Sequence, residues 1–294
     1  MKRSWFLASA FGSGLAAASG MPAPAHSAVA ARVRAIAGAM PGRIGVYART
    51  MAPGPPLVAY AAREHFPTAS TIKVLIMTTA YVAAEHHPGV LDETIVFRSG
   101  DLIGGSDFMA GAANGERFTV RQLIEPMIQL SDNTAANLLI GHFGVPAINA
   151  VGARAGMEAT HLARKFRDFS APLDRKDNVS TPADMGHLLF TIERGAREGV
   201  RTIVSARRCR AMISIMLGQT DRDGIPAALP HGIAVANKTG ELTGTRNDVA
   251  IVAPYGDSPF ILAIMTADAY DSDAAYGAIH AVTRAAYSAV ARYE

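Results

Sequence analysis

The spacing of apolar residues changes character twice along this chain. An Ala-rich stretch reads as a first helix at about 28–40, and the runs "RIGVYART" (43–50) and "PPLVAYAAREHF" (55–66) then look like strands. Gly54 and its neighbouring prolines divide the two runs, which predicts a hairpin. From Ser70 to about Gly218 the apolar positions recur at mostly helical spacing. Within that region Thr119 with Gln122 three residues later has the spacing of a capping box. Thr181 as cap, Pro182 at the first helical position and Asp184 in the first turn predict a second sharp helix start. Beyond Gly232 come three strand-length apolar runs, "IAVANKTG", "NDVAIVAP" and "FILAIMTA", and a closing amphipathic helix from about Ser272 to Tyr293.

Neither the two N-terminal strands nor the three C-terminal ones make a stable sheet alone, because exposed edges and one uncovered face would remain. Joined, they predict an α+β fold: a five-stranded antiparallel sheet flanked by the terminal helices, with a helical lobe inserted. The expected division is an α/β lobe from 29–66 and 216–294 and an all-α lobe from 67–215. The cleft between them is the place to look for a site.

Composition narrows the chemistry. With 294 residues, 49% hydrophobic and 18% charged, the chain has ample apolar material for a packed core. The net charge of +3 and the scattered basic residues give no surface for nucleic acid, and the short cluster "ARRCR" (206–210) reads as a solvated helix face. Cys209 is the single cysteine, so no intrachain disulfide forms and the thiol is expected to be buried and structural. His65, His86, His87, His142, His161, His187, His231 and His280 show no metal-ligand spacing with carboxylates, so neither a metal nor a cofactor is expected.

The first residues, "MKRSWFLASAFGSGLAAASGMPAPAHSA", combine two positive charges, a short apolar stretch and small residues, with candidate cleavage sites after Ala25 or Ala28. This is the pattern of a signal peptide over 1–28, and it predicts an exported protein, periplasmic or secreted. No later segment approaches the roughly 20 apolar residues needed to cross a bilayer, so no stable membrane insertion is expected after cleavage, and the protein is expected to be a monomer.

In "FPTASTIKVLIM", Ser70 and Lys73 stand three apart at the mouth of an apolar helical run. On a helix they share a face, so the amine can meet the hydroxyl. Lysine can act as a base for serine only if its ammonium loses a proton easily, which burial and a second cation both promote. Two further triplets strengthen the pattern. Ser131-Asp132-Asn133 places a hydroxyl and an amide where two helices meet, and Lys238-Thr239-Gly240 ends a strand with a glycine that leaves room for a substrate backbone.

Ser-x-x-Lys, Ser-Asp-Asn and Lys-Thr-Gly in this order are the motif set of class A β-lactamases and penicillin-binding proteins. From about residue 42 to the C-terminus the chain resembles the class A serine β-lactamase family, also in "QLSDNTAANLLI", "STPADM" and "NKTGELTGTRNDVAIVAP". The resemblance implies the same two-lobe fold with the site in its cleft. It implies that Ser70 attacks the lactam carbonyl, Lys73 takes its proton and Ser131 passes a proton to the departing ring nitrogen. It further implies that Asn133 binds the side-chain amide of a β-lactam or acyl-peptide substrate. Lys238 and Thr239, together with Arg246, would hold its carboxylate; the N–H groups of Ser70 and Glu241 would form the oxyanion hole, beside Gly240.

One departure stands out. The family carries a loop glutamate, two residues after an arginine, that activates the deacylating water. In "LARKFRDFSAPLDRKDNVSTP", counting from Arg164 puts Phe166 at that place and counting back from Pro182 puts Lys165 there. The loop has no glutamate, only Asp168, Asp174 and Asp177; Asp168 is the candidate substitute base, and Asp177 is expected to pair with Arg164. Three activities follow: a β-lactamase with slow deacylation, a cell-wall peptidase or esterase that β-lactams inhibit, or a sensor that acylates once.

Overall fold

The computed structural model describes residues 23–167 and 177–293. Helix α1 (Ala23–Ala39) leads into β1 (Arg43–Thr50), β2 (Val58–Tyr60) and β3 (Phe66–Pro67). After the nucleophile turn come α2 (Lys73–His86), β4 (Thr94–Val96), β5 (Arg117–Thr119), α3 (Val120–Gln129), α4 (Asn133–Phe143) and α5 (Val145–Arg154). The chain continues through β6 (Val179–Ser180), α6 (Pro182–Glu198) and α7 (Ala206–Leu217), and ends in β7 (Val235–Leu242), β8 (Thr245–Val252), β9 (Phe260–Ala267) and α8 (Ser272–Val290).

The five-stranded sheet expected from the sequence forms with order β2-β1-β9-β8-β7, every neighbouring pair antiparallel. The N-terminal strands are thus completed by the C-terminal ones, and β9 occupies the centre. Period-two alternation explains why every residue of β9 is apolar or small and buried. Ile261, Ala263 and Met265 join the core shared with the helical layer, whereas Phe260, Leu262 and Ile264 pack in the core shared with α1 and α8. An edge position is left to β7, beside the cleft.

Both predicted caps are present. The Thr119 hydroxyl accepts the Gln122 N–H at 3.1 Å while the Gln122 side chain accepts the Thr119 N–H at 2.8 Å, and Thr181 accepts the Asp184 N–H at 3.1 Å. Other expectations need correction. The run 55–66 is a strand only over Val58–Tyr60, because Ala61 takes φ +45° and turns the chain away; Phe66 and Pro67 pair instead with β6. The first helix starts at Ala23, ahead of the expected 28, and so runs through Ala25 and Ala28. The cluster at 206–210 is not wholly solvated: Arg208 turns inward, donating to Glu85 Oε2 at 2.8 Å and to the Ala84 carbonyl at 2.5 Å. Its positive charge is compensated there by a carboxylate that also meets Arg201. Cys209 is buried, as expected.

Candidate active site

Ser70 lies in a short 3-10 turn, Ala69–Ile72, directly before α2. Ala69 takes φ +46°, a left-handed conformation costly for a residue with a Cβ, and the turn is held from two sides. Asn178 O accepts the Thr68 N–H at 2.9 Å, and the Asn247 side chain donates to Pro67 O at 2.8 Å. Strand β7 closes over the same turn. A Cβ on Gly240 would lie 2.8 Å from Thr68 O and 3.0 Å from Ser70 N, so only glycine lets the strand come this near the nucleophile.

Lys73 begins α2 with its side chain fully buried. Its Nζ lies 2.9 Å from Ser70 Oγ, 2.7 Å from Ser131 O, 3.2 Å from Ser131 Oγ and 2.7 Å from Asn133 Oδ1. An ammonium has three protons for these four oxygens. A neutral amine has two protons and a lone pair, so it can donate to the carbonyl oxygens and accept from the Ser70 hydroxyl. Burial, then the nearby positive charge of Lys238, holds the amine well below the ordinary lysine range, while Asp132 opposes them. Both influences expected from the sequence therefore act on this group.

Ser131 takes φ +57°, which lets one residue turn both its carbonyl and its hydroxyl toward Lys73. Asp132 is the buried cap of α4: its carboxylate accepts from Ala135 N at 2.8 Å and from Met109 N at 3.0 Å, fixing the loop that faces the cleft. Asn133 donates to Gly104 O at 3.0 Å, and Gly105 at φ +72° passes so close that a Cβ there would sit 2.7 Å from Asn133 Nδ2.

Lys238 is also fully buried and donates to Thr239 O at 2.8 Å. Burial brings it down to about 8, against the attraction of Asp221, Asp248 and Glu241. Thr239, Gly240 and Glu241 line the cleft together with Ser70 and Ser131. Arg246 does not line it. Its guanidinium donates to Leu242 O at 2.9 Å, Thr245 O at 2.8 Å and Ser272 Oγ at 2.9 Å, and stands 3.9 Å from Glu241 Oε1. Arg246 thus braces the end of β7, and Glu241 is further held by the Tyr276 hydroxyl.

The loop opposite supplies Phe166. Its ring centroid is 4.4 Å from Lys73 Nζ, so of the two residues reached by counting it is Phe166 whose side chain meets the lysine. Lys165 also lines the cleft, but its Nζ lies beside Gly141 on α4 rather than at Lys73. Asn137 clamps the Phe166 backbone at both ends, accepting its N–H at 2.8 Å and donating to its carbonyl at 3.0 Å. Arg164 pairs with Asp177, as expected, and Asn178 accepts the N–H groups of Ala163 and Arg164. Asp168 and Asp174 lie outside the described residues. Sequence reasoning overlooked Asn137, Asn178 and Tyr276; only for Asn137 was there a signal, its position one turn after Asn133 on the same helix.

Sequence and fold both match known proteins. The model of the "Beta-lactamase enzyme family" matches residues 28–290. A β-lactamase of Amycolatopsis lactamdurans is 32% identical over 256 residues, 82% of this chain and 80% of that protein. The crystal structure of the β-lactamase from Sphaerobacter thermophilus superposes with a TM-score of 0.79 at 32% identity, covering 90% of this chain and 97% of that one. A mutant of PBP-A, solved as an acyl-enzyme complex with penicillin G, has a TM-score of 0.79 over 92% of this chain and 97% of that one, and at 23% identity it speaks for the fold. With a family match spanning nearly the whole chain and a relative this similar over four-fifths of it, the chain belongs to the class A serine β-lactamase family and is a hydrolase of that type.

Proposed function

We propose that Ser70 opens β-lactams by forming an acyl-enzyme and that release of the acyl group is the slow step. The observation that carries this reading is the contact of 2.9 Å between Lys73 Nζ and Ser70 Oγ, made by a buried lysine of lowered proton affinity. Neutral Lys73 takes the Ser70 proton as Oγ bonds to the lactam carbonyl carbon. Ser131, whose Oγ is 3.2 Å from the same amine, then gives its proton to the lactam nitrogen as the C–N bond breaks and is reprotonated from Lys73. The N–H groups of Ser70 and Glu241 stabilise the oxyanion, Asn133 holds the acyl amide, and Lys238 with Thr239 holds the carboxylate. Arg246 acts on this last contact indirectly, by bracing Glu241.

Release requires a water made nucleophilic beside the ester. The side chain that faces Lys73 across that space is the Phe166 ring, which cannot accept a proton. Asp168 is the remaining candidate base. The N-terminal stretch 1–28 is a signal for export to the periplasm or the medium, and the exported protein works as a monomer. Intact-protein mass spectrometry during reaction with a penicillin and a cephalosporin tests the scheme: one persistent adduct per chain, absent in Ser70→Ala, is expected. Adduct formation in Ser70→Ala would place the nucleophile elsewhere. Rapid turnover with no adduct would show that deacylation is not limiting.

A further inference from the structure

Ser70 divides the cleft into two halves of different electrostatic character. The half that contains Phe166 is lined by Arg164, Lys165 and Arg167 together with Asp177 and Glu241, so Glu241 borders both halves. Ser131, the proposed donor to the departing nitrogen, lines the other half, of about 270 Å³, which therefore receives the leaving side of the substrate. The charged side chains lining that half are Asp107, Asp221 and Glu241, with no lysine, arginine or histidine among its described lining residues.

We propose, resting on the acylation reading above, that Glu241 and Asp221 are specificity-determining residues that favour substrates carrying a positive charge on the leaving side of the scissile bond. The basic residues around this half offset them only in part, and Lys73, which touches Ser131 and Asn133, is the amine read above as acting unprotonated. Lys238 is fully buried in β7, where the charges of Asp221, Asp248 and Glu241 already attract it. Arg246 is engaged by two carbonyls and Ser272 as well as by Glu241, and Arg222 donates to Val235 O at 3.2 Å and Asn237 Oδ1 at 3.3 Å.

A second observation marks the place where ligand is expected. Thr239 lines this half with its side chain 5% exposed and its hydroxyl unbonded among the described residues, so it awaits an acceptor such as a substrate carboxylate. A carboxylate bound there meets Lys238 partly compensated by Asp221 and Glu241. A zwitterionic leaving side presents its anion to Thr239 and Lys238 and its cation to the exposed Glu241 and the half-buried Asp221, which recovers the attraction that a purely anionic substrate loses.

The test uses two cephalosporins with the same aminothiazolyl-methoxyimino acyl chain, one with a neutral acetoxymethyl group at C3 and one with a quaternary N-methylpyrrolidinium-methyl group. Second-order acylation rates are read by rapid quench and intact mass in the native protein, Glu241→Gln and Asp221→Asn. Glutamine can still accept from Tyr276 and asparagine from Asp223 N, so charge is removed with the local bonds retained. Comparing each variant with the native protein cancels the intrinsic reactivity of the two compounds.

The rate ratio of cationic to neutral compound should fall about three- to tenfold in the variants, and the native ratio should shrink as salt is raised from about 0.02 to 0.5 M. A ratio that is unchanged in both variants and insensitive to salt would overturn the proposal. Should a variant fail to fold, the salt dependence of the native protein decides alone. Labelling by neither compound would be a different outcome, since it would remove the acylation reading and this proposal with it.

Discussion

The ring of Phe166 rests 4.4 Å from Lys73 Nζ, and its backbone is clamped to the Asn137 amide by two hydrogen bonds. An aromatic face therefore occupies the side of the lysine from which a deacylating water would be activated. Stopped-flow mixing with a chromogenic cephalosporin should give a burst of about one equivalent and then slow turnover. Phe166→Glu should speed the slow phase by about tenfold or more, because a carboxylate on this clamped backbone can serve as general base. Asp168→Asn should abolish the slow phase if that aspartate is the base. An unchanged slow phase in Asp168→Asn would leave it a structural role.

Gly240 touches the backbone of the nucleophile turn. In Gly240→Ala the new Cβ would meet Thr68 O at 2.8 Å and Ser70 N at 3.0 Å, and neither atom is the end of a flexible side chain. Acylation should slow by about a hundredfold, on the scale of a roughly 1 Å misplacement of reacting groups, while the melting temperature changes less. Native acylation rates in this variant would show that the strand can retreat without cost to the site.

The two buried lysines should shape the pH profile from opposite sides. Acylation needs neutral Lys73, so its rate should fall as acidification protonates that amine. Substrate affinity needs charged Lys238, whose value of about 8 means that attraction for a carboxylate fades as pH rises through 8, so KM should climb there. A substrate esterified at that carboxylate should lose the alkaline rise and keep the acid limb. Lys238→Ala should remove the same rise.

Glu193 offers a stability test away from the cleft. Its side chain is 1% exposed, Oε2 has no hydrogen-bond partner among the described residues, and burial pushes the carboxyl up to about 7 although Arg197 lies 3.3 Å away. The folded-state value is above the unfolded one, so the folded protein binds more protons between them. Stability from this group therefore falls as pH rises from about 4.5 to about 7 and stays lost above that. Glu193→Gln should raise the melting temperature at pH 8 by about 2–4 °C and by less at pH 4. An equal shift at both pH values would mean that Glu193 is not the titrating group.

Local signals in the sequence determined much of this molecule. The caps at Thr119 and Thr181 and the two-residue period of β9 were legible because each depends on neighbours within one turn or one strand. The pooling of terminal strands followed from the instability of short sheets with open edges. Ser70 and Lys73 could be paired because three residues on a helix start share a face. Which side chain meets Lys73 from the opposite loop was not legible, since Phe166 and Lys165 differ by one position and the choice depends on the clamp from Asn137, 29 residues away. The contacts of Arg246 with Leu242, Thr245 and Ser272, which brace the end of β7 beside Glu241, were likewise not legible. The burial that lowers Lys73 and Lys238, and the meeting of Asp107, Asp221 and Glu241 in the lining of one half of the cleft, belong to the tertiary structure alone. Desolvation and Coulomb interaction depend on distance in space, and residues remote in sequence come within range only when the chain is folded.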